Sequence, residues 1–219
     1  MRAFVFCVSS IAVLIFGTAI RGAHGSDNRA SAIPEISQRE VRGGIVFKSY
    51  CALCHGEQGD GKGRAARLYV KLSLDLQRRS SDCCEQIIRK GGAGVGRSPF
   101  MPPWQNELSR EQIVDVVAYV AILDDPALRG KVVYLSNCVL CHGVNADGHG
   151  RASMLLHPPP ADLTRSTKDD AYKAAIIRSG SAAMGRSANM PPWAGQISDS
   201  ELADLLAYLR SVLIVPLMK

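Results

Sequence analysis

Aromatic side chains are scarce in this 219-residue chain, at 6% of positions with two Trp. No basic cluster with interleaved aromatics occurs, so the formal charge of +6 does not mark a nucleic-acid surface, and no nucleic-acid partner is expected. Hydrophobic residues make up 47% and charged residues 21%, which is too apolar for a disordered chain and enough for real cores. Alternating strand patterns of useful length are missing, which argues against a sheet-based fold. Beyond the N-terminus no apolar run is long enough to span a bilayer; Val212 to Met218 is short and broken by Pro216.

The N-terminus reads as a targeting segment. Arg2 precedes an uncharged run from Ala3 to Ile20, and Ala23-His24-Gly25 supplies small residues before a polar stretch. This predicts an exported, periplasmic protein whose residues 1–25 are a signal removed after Gly25, taking Cys7 and His24 with it. The competing reading is an uncleaved segment that anchors the protein to the membrane, facing the periplasm. Residues 26–124 then carry 14 basic and 12 acidic side chains and residues 125–219 carry 10 and 8, so each half is +2 and neither is built for a polyanion.

The remainder of the chain is one unit written twice. Cys51-Ala-Leu-Cys54-His55-Gly56 recurs as Cys138-Val-Leu-Cys141-His142-Gly143, at a shift of 87 that also maps Arg42-Gly43 onto Arg129-Gly130 and Phe47 onto Tyr134. After a two-residue insertion the shift is 89, mapping Ile87-Ile88-Arg89 onto Ile176-Ile177-Arg178 and Met101-Pro-Pro-Trp104 onto Met190-Pro-Pro-Trp193. Two copies make a tandem duplication, not a solenoid.

Each copy has helical periodicity. Ser37-x-x-Glu40 predicts a capped helix through Tyr50, and Asp125-Pro126 opens its counterpart. Ser109-x-x-Gln112 and Ser198-x-x-Glu201 open the closing helices. Shorter helices are predicted at Cys84–Lys90 and Tyr172–Ser179. Gly43, Gly44 and Gly130 lie inside opening helices at a cost of about 1 kcal/mol each, which predicts close approach of opening and closing helices near Tyr119 and Tyr208. The expected fold is all-α. Its expected organisation is a signal at 1–25, a flexible segment at 26–36, domains at 37–124 and 125–213, and a tail at 214–219.

The chemistry expected in each copy is a covalently attached haem. A Cys-x-x-Cys-His run places two thiols one helical turn apart, matched to the two vinyl groups of a haem, with an imidazole next in line for the iron. Met101 and Met190 are the repeat-equivalent sulfur donors for the other face, 46 and 48 residues beyond the respective His. His/Met ligation is the electron-transfer arrangement that raises the reduction potential. The spacing between the two Cys pairs is far too long for a zinc ribbon, and a thioredoxin-type dithiol needs a βαβ context that is absent. Met184 aligns with Val95 and reads as filler. His149 and His157 align with Lys62 and Val70, outside the shared plan. Trp104 and Trp193 read as pocket packing or as redox relays. Arg97 and Arg186 read equally as propionate partners or solvated charges, and Cys83-Cys84 as a strained disulfide or incidental thiols.

On these residues the chain resembles the class I cytochrome c family, in particular tandem two-haem members such as the periplasmic cytochrome c4 type, over nearly all of residues 37–213. The resemblance implies three to five helices wrapped around each haem. It implies that Cys51, Cys54, His55 and Met101 hold the first haem c and Cys138, Cys141, His142 and Met190 the second, the His and Met residues binding iron. Many relatives orient the proximal His with the carbonyl of a Pro; here Arg64 and Arg151 occupy those places, which leaves the orienting carbonyl open. Pro158 to Leu163 matches the family's pattern, whereas Lys71 to Leu76 departs from it and implies a looser first pocket.

The expected function is a dihaem electron carrier between a membrane or periplasmic donor and a terminal oxidase or reductase, without catalysis of its own. Its expected partners are redox proteins: a quinol-oxidising membrane complex, an oxidase, a reductase or a dehydrogenase. Membrane contact is expected to be peripheral or through an uncleaved N-terminus. The alternatives are a haem enzyme (a dihaem peroxidase or a thiosulfate-oxidising cytochrome, with an iron that is open, bis-His or bound by Cys83 or Cys84) and a dedicated cytochrome subunit of a dehydrogenase or oxidase complex.

Overall fold

The computed structural model describes residues 35–69, 72–77 and 84–214. The expected signal, most of the segment at 26–36, Cys83 and residues 215–219 lie outside the described residues. Among the described residues the fold is all-helical, with no strand beyond one isolated bridge between Asp60 and Asp75. No helix among them is long and apolar enough to cross a membrane.

Local sequence sets the helix ends. α1 (Gln38–Tyr50) opens on the Ser37/Glu40 capping box, and the single turn α2 (Ala52–His55) follows Cys51. α3 (Cys84–Lys90) has the bounds read from the sequence. α4 (Arg110–Val120) opens on the Ser109/Gln112 box. In the second copy, α5 (Pro126–Asn137) uses Asp125 as cap and Pro126 in its first turn. The turn α6 (Val139–His142) then repeats α2. α7 (Asp170–Ser179) begins two residues before the expected Tyr172, because Asp169 accepts the Tyr172 N–H at 2.8 Å and caps it. α8 (Asp199–Ser211) closes the fold on the Ser198/Glu201 box.

The two long helices of each copy cross in near contact. A Cβ on Gly43 would lie 2.0 Å from the Asp115 carbonyl oxygen, and one on Gly130 1.9 Å from that of Asp204. Glycine's helix penalty of about 1 kcal/mol is offset by this approach. The adjacent arginine clamps the same aspartate: Arg42 Nε and Nη2 bond the Asp115 carboxylate at 2.6 and 3.1 Å, and Arg129 does the same to Asp204 at 2.8 and 2.7 Å. Each Arg-Gly pair therefore fixes its crossing from backbone and side chain together. Tyr119 and Tyr208 lie at the crossings as expected, with Cβ atoms 2.9 Å from the positions a Gly43 or Gly130 side chain would take. Their rings meet Phe47 at 5.4 Å and Tyr134 at 5.1 Å.

The copies join head to tail. Leu128 and Val132 of α5 are buried in the first core beside Phe47, Val116 and Tyr119, and each buried aliphatic side chain contributes about 1.5–3 kcal/mol. Val132 reaches α1 at Gly44, where a Cβ would stand 3.0 Å from it. Around this contact Lys48 pairs with Glu201 at 2.7 Å, Gln58 donates to Asp204 at 3.1 Å, and Glu57 accepts from Ser198 at 2.6 Å and from Ser200. Burial alone would raise the Glu57 carboxyl, but the two hydroxyls and Lys48 hold it below the usual carboxylate range. One consequence is that Arg129, 4% exposed, is covered by the first copy and also donates to the Leu123 carbonyl, whereas Arg42 stays half exposed.

Breaking the covered clamp leaves a buried guanidinium without its partner. Asp204→Ala is expected to cost about 3–5 kcal/mol of unfolding free energy. Asp115→Ala is expected to cost less, because Arg42 keeps its water. Guanidinium denaturation of the two variants makes the comparison, and equal losses would show that the covering has no energetic weight.

Candidate functional site

The first site is built from the end of α1 outward. Cys51 continues α1, with its N–H on the Phe47 carbonyl at 2.9 Å, and the α2 turn then presents Cys54 and His55 before Gly56 ends it at φ 82°. These residues line a cavity of about 670 Å³ together with Met101 and Trp104, a volume in the range of small-molecule and cofactor sites. His55 Nδ1 lies 2.7 Å from the Leu74 carbonyl oxygen, and His142 Nδ1 lies 3.1 Å from that of Ala161. A carbonyl only accepts, so the proton is on Nδ1 and the lone pair of each neutral ring is on Nε2, the arrangement a metal-ligating histidine requires. Burial lowers the basicity of His142, which favours that neutral form.

The methionine loops are pinned at both ends. Gly92 N–H bonds the Met101 carbonyl at 2.8 Å and Trp104 N–H bonds the Ile88 carbonyl at 2.9 Å. In the second copy Ser181 takes the place of Gly92: its N–H bonds the Met190 carbonyl at 3.0 Å, and its hydroxyl accepts the Met190 N–H at 3.2 Å. Trp193 N–H bonds Ile177 at 2.9 Å, as Trp104 does Ile88. Gly91 and Gly180 adopt φ of 72° and 76°, and a side chain on either would strike the Met-Pro-Pro backbone. Cys138, Met190 and Trp193 all pack against the second core.

The thiols behave as the attachment reading needs. Burial, with a smaller contribution from the neighbouring cysteine, pushes Cys51 and Cys138 up to about 12. A catalytic dithiol or thiolate metal ligand is expected to have a lowered value, so Cys51 and Cys138 read as neutral thiols in apolar surroundings. Among the described residues no three His, Cys, Asp or Glu side chains converge into a metal cage. Two thiols on one turn, an imidazole with Nδ1 committed to a carbonyl and a thioether on the same cavity wall fit a covalent haem.

The structure sorts the remaining candidates. Leu74 and Ala161 are the orienting carbonyls that the resemblance left open. At the described end of the departing segment Leu76 N–H bonds the Gly59 carbonyl at 2.7 Å, as Leu163 N–H bonds that of Ala146 at 2.8 Å; Lys71 lies outside the described residues. Arg97 lines the first cavity, whereas Arg186 donates to the Tyr172 hydroxyl at 2.7 Å on the surface. Cys84 is buried and lines the first cavity. His149 and His157 are exposed, the former 3.5 Å from Asp147. Sequence reasoning missed Asp115, Asp204 and Ser181. The 89-residue shift could have found the two aspartates; Ser181 aligns with Gly92, and the carbonyls carry no side-chain signal.

Comparison with known proteins gives a consistent result. The family model described as "Cytochrome C oxidase, cbb3-type, subunit III" matches residues 38–120 and again 125–209. A cbb3-type cytochrome c oxidase subunit CcoP of Azospirillum brasilense is 27% identical over 190 residues, covering 78% of this chain and 61% of the relative. The subunit FixPc of Rhizobium leguminosarum bv. viciae is 32% identical over 181 residues, covering 78% and 60%. The chain thus spans about three fifths of the length of these curated relatives.

Ser181→Ala removes the acceptor of the Met190 N–H and is expected to cost about 1–3 kcal/mol. Thermal melting followed separately at each copy is expected to show the loss in the second; a uniform loss would mean that the hydroxyl does not hold this loop.

Proposed function

Since the chain belongs to the family of the cbb3-type cytochrome c oxidase subunit III, we propose that it is a dihaem c-type cytochrome that carries single electrons toward a terminal oxidase. The observation that carries this reading is the pair of Cys-x-x-Cys-His turns, each with its imidazole locked by a backbone carbonyl 19 residues on. Cys51 and Cys54, and Cys138 and Cys141, form the thioethers; His55 and His142 bind iron through Nε2. Met101 and Met190 are the sixth ligands, held in place by Gly92 and Ser181. When bound, each haem supplies a one-electron ferric–ferrous couple. The protein orients the ring, excludes water with an apolar wall and favours the ferrous state with a thioether.

The domains we assign are residues 37–124 and 125–213. Export to the periplasm, by a cleaved signal at 1–25 or with that segment kept as an anchor, supports contact with a membrane oxidase. The partner we favour is the remainder of such an oxidase, because the relatives are named as its subunits. Exposed Leu53 and Leu140, each between the two cysteines of its motif, provide apolar contact for redox partners.

Cys84 on the first cavity wall favours one second reading, a haem enzyme in which this thiol meets the iron. Cys84→Ser separates the two, since an unchanged oxidised spectrum removes the enzyme reading.

The purified holoprotein is expected to hold two haems per chain and a far-red sulfur-to-iron band of the intensity of two Met-ligated sites. Met101→Ala and Met190→Ala are each expected to remove half of that band and to lower the potential of one haem only. A wild-type band worth one haem or none would sink the two-site carrier.

A further inference from the structure

We propose that Lys173 places a positive charge in the pocket of the second haem and makes that haem the more readily reduced of the two. The proposal rests on the dihaem reading above and adds a direction to it. α3 and α7 are partners in the repeat. The buried face of α3 is Cys84 and Ile88, and both line the first cavity. The buried face of α7 is Lys173 and Ile177, the same two positions at the shift of 89. Ile177 belongs to the second core, against which Met190 and Trp193 pack, and its carbonyl accepts the Trp193 N–H at 2.9 Å. Lys173 is therefore on the cofactor side of α7, next to the turn that bears the methionine loop.

The protein covers this lysine without pairing it. Lys173 is only 8% exposed, yet no described residue gives its ammonium a hydrogen bond or an ion pair. No unpaired side-chain nitrogen is sealed inside the described protein, so the stem is covered while Nζ opens on accessible space. The other charges on and beside its helix are engaged elsewhere: Asp169 caps Tyr172, Asp170 pairs with Arg210, and Arg178 pairs with Asp199. An ammonium held against an apolar core without a counter-charge is costly, and haem brings two propionate carboxylates of its own. The four-carbon stem lets the charge meet them from within the pocket.

Reduction adds one negative charge at the iron, and a nearby cation favours it. Unit charges about 10 Å apart at an effective dielectric of about 20 shift an equilibrium on the order of tenfold, which is 59 mV for one electron. Arg97 borders the first cavity and Arg186 is drawn to the Tyr172 hydroxyl, but both are exposed, so water and salt screen either charge. Lys173 has no counterpart in the first copy, which has Cys84 there. A single electron entering the protein therefore settles on the second haem, and internal transfer runs from the first copy to the second.

Potentiometric titration of the holoprotein tests this with Lys173→Met and Lys173→Arg. The wild type is expected to titrate in two waves. Lys173→Met is expected to lower the upper wave by about 59 mV, a tenfold change, and to leave the lower wave in place. Lys173→Arg is expected to restore most of the separation, with the far-red band unchanged throughout. Movement of the lower wave, or of neither, overturns the proposal. So does a gain of far-red intensity in Lys173→Met, which would make the lysine an iron ligand in place of Met190. Should Lys173→Met fail to load its second haem, Lys173→Gln carries the same comparison. Haem content, measured first, separates the two levels: one haem per wild-type chain would sink the dihaem reading and this proposal with it.

Discussion

In each half of the molecule two helices approach until only glycine fits between them, and an arginine beside that glycine grips the aspartate whose backbone it touches. Gly43 against Asp115 and Gly130 against Asp204 set the angle at which the opening helix delivers the Cys-x-x-Cys-His turn. The closing helix supplies Val116 and Val120 to the first cavity wall. If the crossing were wider, the cysteines and the methionine loop would no longer line one space. Steric fit at a single residue thus governs a cavity built from several distant segments.

The same clamp has two environments, and the difference arises from the order of the copies. Arg42 faces water, while Arg129 lies under Gln58 and the Leu123 carbonyl of the preceding unit. Desolvation makes the second pair costly to break and makes it report on the integrity of the joint. Lys48, Glu57 and Gln58 reach across to α8 and its N-terminus, so the helix that closes the second pocket is positioned by the first unit.

Much of this was legible in the sequence. The four capped long helices, the all-α class and the closeness of the crossings followed from Ser37, Ser109, Asp125, Ser198 and the helical glycines, because caps and steric limits act locally. The eight candidate haem-binding residues followed from motif and repeat. The orienting carbonyls did not, since Leu74 and Ala161 act through backbone atoms that every residue has. The start of α7 was misjudged because Asp169 competes with no visible periodicity and declares itself only as a cap. Lys173 carries no motif signal, and only the burial of one face of α7 places it beside Ile177.

The head-to-tail joint carries a further consequence for how such a chain can grow. A heterologous contact leaves at each end the surface it buries at the other, so in principle units can be added without limit. Here the outgoing surface has been altered. Lys131 replaces Gly44, Leu135 replaces Lys48, and Val144, 64% exposed, replaces Glu57. Lys131 brings a long side chain to the position where Gly44 admits Val132, and the groups that engage α8 have no counterpart in the second unit. The second unit thus lacks on its outgoing side the surface by which the first unit receives its neighbour, so the two units are not interchangeable although their folds are.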